Sequence, residues 1–347
     1  MQLMIRCIPL LLVRLVFLAL LSMMPCLTSA HEQSNIVKVP DYAENLKRIQ
    51  TILDTPEKQF DLARAELTID KMIDPTIDVE ANLQKIKAIV TEIKAKLPAN
   101  VSSLDKMQTL RGYLYQKGSW NNYQAFQYDF DDPLGRKVIN KLLPHYLATK
   151  KGNCVSMPLL FIVLGQKLGI DVTAALAPAH VFVKYRDDAG NWLNLETTGT
   201  AKPTRDAWYR EQQPMTDQAI ANGIYMRPLA KKEVLTVILN TLMQHYREQR
   251  QYGQVIALAD LVLERYPKSV TTLLYRSGAY MRLQDNLLSE YDGIETIPFF
   301  DQEHFKEFGF AIQADLARAE ALGWREPTPE HEAKYLQTVK QHIQTTQ

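Results

Sequence analysis

One stretch limits the fold more than any other. Between Gly152 and Gly169 the chain reads Asn153-Cys154-Val155-Ser156-Met157-Pro158, and then Leu159, Leu160, Ile162, Val163, Leu164 and Leu168 with hardly a polar break. A helix apolar on nearly every face has to be enclosed by other elements. The pattern predicts a helix from residue 154 to about 168, capped by Asn153 and closed at Gly169. Gly152 would allow the tight turn before it. Pro158 falls at the edge of the first turn, where a missing N–H costs least. The rest of the chain must build a shell around this rod.

Beyond Gly169 the period changes. Residues 171–176, 180–185 and 192–196 are short runs rich in β-branched and aromatic residues, separated by Pro178 and by Asp187-Asp188-Ala189-Gly190-Asn191. They predict three antiparallel strands. Two hairpin registers join the second strand to the third. In one, His180 faces Glu196 directly; in the other the two are diagonal neighbours on the same face. Either register lets the carboxylate reach the imidazole.

These two elements suggest chemistry. Cys154 sits at the positive end of the buried helix, where the dipole favours a thiolate and the Cys154 N–H is available to an oxyanion. A buried cysteine alone is more often structural, a lone histidine on a strand likewise, and a lone glutamate is usually solvated. The three together form a nucleophile, a base and an orienter: Cys154, His180 and Glu196. The seven histidines are scattered without paired spacing, so no metal site is expected, and no glycine loop of phosphate-binding type occurs. No cofactor is expected.

The remaining segments read as helical. On the N-terminal side the pattern predicts helices over about 55–72, with Thr55 as cap and Pro56 in the first turn; over 78–97, with Asp78 as cap; and after Ser102, ending near Gly118. They read as a packing layer. Residues 119–150 are irregular and aromatic, with a short helix near 137–143; they line a cleft or cover a core, and no residue there is assigned a role. C-terminal helices are expected over 233–248, 254–266, 270–283, from 286 onward, and over 302–322. Tyr246 and Tyr280 are spaced at the tetratricopeptide period, although Pro267 and Pro298 repeat at a shorter interval. Such arrays bind peptides on a concave face or simply cap a neighbouring domain.

Arg6 and Arg14 flank the start of an apolar run, residues 8–24, that ends in Pro25 and the small residues Thr28-Ser29-Ala30. This is the pattern of a cleaved secretory signal, with Arg14 poorly suited to a permanent span. Cleavage before His31 would remove Cys7 and Cys26, leave Cys154 as the one cysteine, and turn the formal net charge of +1 into about −1. The chain would be exported to the periplasm or secreted, with no stable membrane anchor. An unpaired thiol in an oxidising compartment is protected by burial or kept for its reactivity. No basic stripe suggests nucleic acid.

The motifs Lys151-Gly152-Asn153-Cys154-Val155-Ser156, Ala179-His180-Val181-Phe182-Val183 and Asn194-Leu195-Glu196-Thr197-Thr198 resemble the transglutaminase-like superfamily of papain-type thiol folds. The closer likeness is to its bacterial SirB-type branch, in which tetratricopeptide-like helices follow the core, as in the segment after Met226-Arg227-Pro228-Leu229. The resemblance implies an α+β fold: a buried cysteine helix on a small antiparallel sheet, a helical N-terminal layer and C-terminal TPR-like repeats. It implies a signal over 1–30, a transglutaminase-like domain over 31–228, a helical domain over 229–325 and a charged tail over 326–347. It also implies Cys154 as nucleophile, His180 as base and Glu196 as orienter, although the family usually has aspartate there. The expected function is an exported thiol hydrolase or acyltransferase acting on an amide bond of a peptide, protein or cell-wall fragment. The alternative is a non-catalytic binding module that holds a protein partner on its helices.

Overall fold

A computed structural model of the protein describes residues 40–330, apart from 214, 292 and 329. The expected signal segment and most of the charged tail lie outside the described residues. The chain has the mixed α+β architecture its sequence implies, with a small sheet between N- and C-terminal helical layers.

The apolar rod is α6, Ser156–Lys167, and ten of its residues are buried. Its neighbours are the N-terminal helices α3 (Val79–Ala95) and α4 (Ser103–Tyr115), the short α5 (Leu143–Thr149), and the strands β3 (Val172–Ala177) and β4 (His180–Arg186). It starts two residues later than the sequence predicts. Asn153 Oδ1 accepts the N–H groups of Val155 (2.9 Å) and Ser156 (3.3 Å), so the cap holds a turn, and Cys154 lies within that turn rather than in the helix. Gly152 serves close approach rather than turn geometry. A Cβ there would lie 2.6 Å from the Tyr146 ring and 2.8 Å from Ser156 Oγ. At the far end Gly169 takes the left-handed backbone (φ +71) that closes the helix.

The sheet is antiparallel in the order β3-β4-β5-β6, with β5 at Trp192–Glu196 and β6 at Lys202–Thr204. The β4–β5 register pairs Val183 with Leu195 and Lys184 with Asn194. Of the two registers open to the sequence this is the diagonal one. A second, two-stranded parallel pairing joins β1 (Gln127–Tyr128) to β2 (Lys151–Gly152), which ties the irregular aromatic segment to the residues just before Cys154.

The N-terminal layer differs in detail from its sequence reading. Instead of one helix from Thr55, α1 (Pro40–Asp54) is followed by a single 3-10 turn and then α2 (Leu62–Ile73), whose cap is Asp61. Pro56 ends the first helix region rather than opening the second. Asp78 and Ser102 cap α3 and α4 as their positions predict. Two short helices, α7 (Asp206–Gln212) and α8 (Asp217–Ala221), connect the sheet to the C-terminal helices α9 (Leu235–Glu248), α10 (Tyr252–Arg265), α11 (Val270–Ser289) and α12 (Phe299–Ala321). The break expected near residue 283 is absent, and α11 runs through it. Leu235, Leu239 and Leu242 of α9 share one hydrophobic cluster with α6, so the core runs on into the C-terminal helices. No helix among the described residues is long and apolar enough to cross a membrane.

Candidate active site

Cys154 and His180 line one cavity of about 590 Å³, formed where the cysteine turn, the β3–β4 turn and helices α9 and α11 meet. Its walls are largely apolar, with Leu176, Val237 and Leu274 among them, and the extended segment after α12 closes one side with Trp324 and Pro327. Cys154 is partly exposed, whereas Asn153 and Val155 on either side are buried. The turn therefore presents the sulfur to the cavity while anchoring its flanks.

His180 opens β4 immediately after a two-residue turn, paired across the ladder with Ala177. Its Nε2 lies 2.8 Å from Glu196 Oε2. That bond leaves Nδ1 as the ring nitrogen for the thiol. The diagonal register sets this up: His180 and Glu196 emerge on the same face of adjacent strands, and the extra methylene of glutamate spans the offset.

Glu196 is buried, and its carboxylate is fully engaged. Oε2 also accepts from the Tyr209 hydroxyl (3.0 Å), and Oε1 accepts from Thr198 N–H (2.9 Å) and Thr198 Oγ1 (2.6 Å). Tyr209, from α7, stacks on Phe182 of β4 with ring centroids 4.1 Å apart. Neither partner was identified from sequence. Thr198 carries a local signal, a hydroxyl two residues beyond an acid that caps a 3-10 turn. Tyr209 carries none, because only the path of the chain through β6 returns α7 to the carboxylate.

The electrostatics follow from this geometry. Burial pushes the Cys154 thiol up, but a hydrogen bond and charge from His180, with the charge of Lys141 behind them, hold it below the ordinary thiol value. Burial pulls the His180 ring down; the Glu196 carboxylate, the thiol and their hydrogen bonds carry it up to about 10. Burial raises Glu196 as well, yet the His180 charge and the bonds from His180 and Thr198 leave it below the usual carboxylate range. The three directions agree. Together they favour a thiolate, an imidazolium and a carboxylate, with the cation between two anions. No group of three or more metal-ligating side chains occurs among the described residues.

The irregular segment before the cysteine is a scaffold. Asn140 Nδ2 donates to Asp129 Oδ2 and Asp132 Oδ2, both at 3.0 Å, and Asp132 accepts the N–H groups of Arg136 (2.9 Å) and Lys137 (3.0 Å). Asn140 O in turn accepts from Asn153 Nδ2 (3.2 Å) and Ser156 Oγ (3.0 Å). The segment is thereby bonded to the residues on both sides of Cys154. It also brings Gly135 (φ +56) against the Asn153 side chain, where a Cβ would stand 3.2 Å from Nδ2.

A thiol on the turn that opens a buried helix, facing an imidazole–carboxylate pair on an antiparallel sheet, defines a papain-type thiol fold. Residues 80–240 match the sequence model of the transglutaminase-like superfamily. Thiol hydrolases and acyltransferases are common in that superfamily. Two relatives from Xylella fastidiosa, from strains 9a5c and Temecula1, are each called UPF0162 protein. Each is 24% identical over 217 residues, which cover 59% of this chain and 73% of the relative. No solved structure matches.

Proposed function

We propose that the protein is an exported thiol hydrolase or acyltransferase that opens an amide bond in a peptide, protein or cell-wall fragment. The observation that carries this reading is the His180–Glu196 bond of 2.8 Å beside a thiol held below its ordinary pKa, both open to one cavity. Cys154 Sγ attacks the carbonyl carbon, the C=O pair moves to oxygen, and a tetrahedral oxyanion forms. Collapse breaks the C–N bond as His180 gives its proton to the leaving amine. The acyl-thioester is released when water attacks, with His180 taking the water proton, or when an amine attacks in its place. Glu196 fixes the ring and balances its charge. Among the described residues the Cys154 N–H has no hydrogen-bond partner, which suits it to the oxyanion. Export is inferred from the apolar run behind Arg6 and Arg14, and N-terminal sequencing of protein recovered from the periplasm tests it; a retained Met1 opposes it.

Iodoacetamide labelling across pH tests the site. The expected result is fast alkylation of Cys154 at pH 6–7, where an ordinary thiol is mostly protonated. Labelling no faster than that of a free thiol would end the enzymatic reading. A second reading, a non-catalytic module that binds a protein partner, draws on the exposed Phe299, Phe300 and Phe310 of α12. Complementation of a deletion strain with Cys154→Ala separates the two: loss of the phenotype favours the enzyme, and retention favours the module.

A further inference from the structure

The cavity at Cys154 touches two separate hydrophobic clusters. Cys154 packs against the main core, which also supplies Val237 of α9 to the lining. A second, smaller cluster supplies Ile224, Val270, Leu274 and Trp324 to the same cavity. That second wall is held in place at close range. The end of α12 is tied to α8 and its flanks: Gln218 Nε2 donates to Ala321 O (2.8 Å), Asn222 Nδ2 to Leu322 O (3.1 Å) and Thr216 Oγ1 to Gly323 O (2.7 Å). Gly323 has φ +101, and a Cβ there would stand 2.4 Å from Ala219 N, so glycine is what lets the two segments meet. Trp324 follows directly, its N–H donating to Ala319 O (3.0 Å). Three polar side chains of the lining are engaged within the protein: Lys141 donates to Gln244 Oε1, Lys268 to Asn222 O (3.1 Å) and Thr241 to Val237 O (3.4 Å). Asn240 of α9, also on the lining, is different. Its Oδ1 accepts from Thr272 Oγ1 (3.0 Å), which is bonded in turn to Ser269 Oγ (2.7 Å), and among the described residues its Nδ2 has no hydrogen-bond partner. The amide is fixed with a donor left over.

We propose that the cavity selects a peptide whose acyl-side residue is large and apolar, with that side chain against Ile224, Val270, Leu274 and Trp324 and the carbonyl of the preceding residue accepting from Asn240. The inference rests on Cys154 being the nucleophile. A group bonded to Sγ that fills the cavity must touch the second cluster, because that cluster is part of the wall. A polar side chain placed there gives up its water without a partner. An aliphatic or aromatic one removes apolar surface from water, its own and the wall's. Glycine leaves the space unfilled. A plain fatty chain fills it, yet has no acceptor for the Asn240 amide. An apolar body and a carbonyl occur together in an acylated residue such as leucine or phenylalanine.

Chloromethyl ketones test this without turnover, since the thiol forms a C–S bond and chloride leaves. Modification of Cys154 is followed by mass spectrometry for the chloromethyl ketones of N-acetyl-leucine, N-acetyl-glycine and octanoic acid, each rate divided by that of the same reagent with N-acetylcysteine. The full chain is compared with Leu274→Gln, Trp324→Ala and Asn240→Leu. The leucine reagent should outpace the glycine reagent by about tenfold or more in the wild type. That ratio should fall to within about threefold of unity in Leu274→Gln and Trp324→Ala. Asn240→Leu should slow the leucine reagent about fivefold relative to the octanoic one. A wild-type ratio near one overturns the proposal, as does a ratio that both wall variants leave unchanged. An octanoic reagent faster than the leucine one also overturns it, and marks a fatty-chain site. Should Leu274→Gln not fold, Leu274→Ala provides the same comparison. Slow alkylation by iodoacetamide at neutral pH is a separate outcome that removes the nucleophile reading; the same ratios at about pH 9.5, where an ordinary thiol is ionised, then still decide whether the pocket selects an apolar residue.

Discussion

Glu196 and Glu66 are both buried glutamates, and they have opposite fates. Glu196 accepts four hydrogen bonds, from His180, Tyr209 and twice from Thr198, and stays ionised below the usual carboxylate range. Glu66, in α2, is 1% exposed and neither of its oxygens has a hydrogen-bond partner. Burial and the nearby Asp70, one helical turn on, push it well above the ordinary carboxyl value. Asp70 is itself pushed up by burial to about 8, although it accepts the N–H of Leu143 at 2.9 Å. Burial alone therefore does not make a charged site. The hairpin gives Glu196 four partners, while Glu66 has none and Asp70 one N–H, so one carboxyl works as a charge and the other pair stores protons.

The strongest way to break that contrast is to remove the cation from the hairpin. His180→Ala takes away the group that holds the thiolate, and burial then dominates the thiol. Labelling of Cys154 at pH 7 should slow by about a hundredfold, back to that of a mostly protonated thiol. Glu196→Gln keeps the shape and removes the charge that raises His180. It should slow the same reaction by about tenfold and bring the alkaline limb of its pH profile down from about 10. An unchanged alkaline limb in Glu196→Gln would mean that the ring does not depend on this carboxylate.

The helical layer predicts the opposite pH response. A carboxyl whose folded pKa lies above its unfolded value contributes stability that is complete below the unfolded pKa and lost as pH rises through the folded one. For Asp70 that window runs from about 4 to about 8. Glu196 is depressed, so its stabilisation is present above the ordinary carboxyl pKa and lost as pH falls through its lower, folded pKa. Denaturant midpoints should fall between pH 5 and 8 in the wild type. The double variant Glu66→Gln, Asp70→Asn should flatten that slope and exceed the wild type at pH 8 by more than about 1 kcal/mol. A slope of the same size in the double variant would assign the loss to other groups.

Tyr209→Phe probes the acid from its third side. Removing one hydrogen bond to a buried carboxylate costs about 1.5–3 kcal/mol, and Phe keeps the stack on Phe182. Stability should drop by that amount, while thiol labelling at neutral pH changes by less than about tenfold because the His180 bond survives. A loss of labelling as large as that of Glu196→Gln would make Tyr209 a positioning residue for the ring.

How far the sequence alone reached depends on the range of each interaction. The rod 156–167, the strands and the caps Asp78 and Ser102 were legible because periodicity and capping act within a few residues. The alignment of His180 with Glu196 narrowed to two registers, since a hairpin is local too. The first helix failed at Thr55-Pro56, where a good cap signal lost to Asp61 a few residues on. Lys141, Gln244 and Tyr209 were out of reach for a different reason. Lys141 meets Gln244 across 103 residues, and nothing near either one marks it. Nothing in the sequence near Glu66 and Asp70 marks them as buried. Only the packing of α9 and α5 against α2 reveals that their face of the helix has no solvent.

The smallest effect belongs to the turn before His180. Ala179 has φ +54, a left-handed conformation that disfavours any residue with a Cβ by about 1–2 kcal/mol. Glycine would relieve that strain but lose more freedom on folding, about 0.5–1 kcal/mol. Ala179→Gly should therefore raise stability by less than about 1 kcal/mol. If the strained turn aimed the ring, relaxing it would also slow thiol labelling. The ladder partner Ala177 and the Glu196 carboxylate already fix His180 from two sides. Labelling in Ala179→Gly should therefore stay within about twofold of wild type, and a tenfold loss would move the source of the ring's precision from the sheet to the turn.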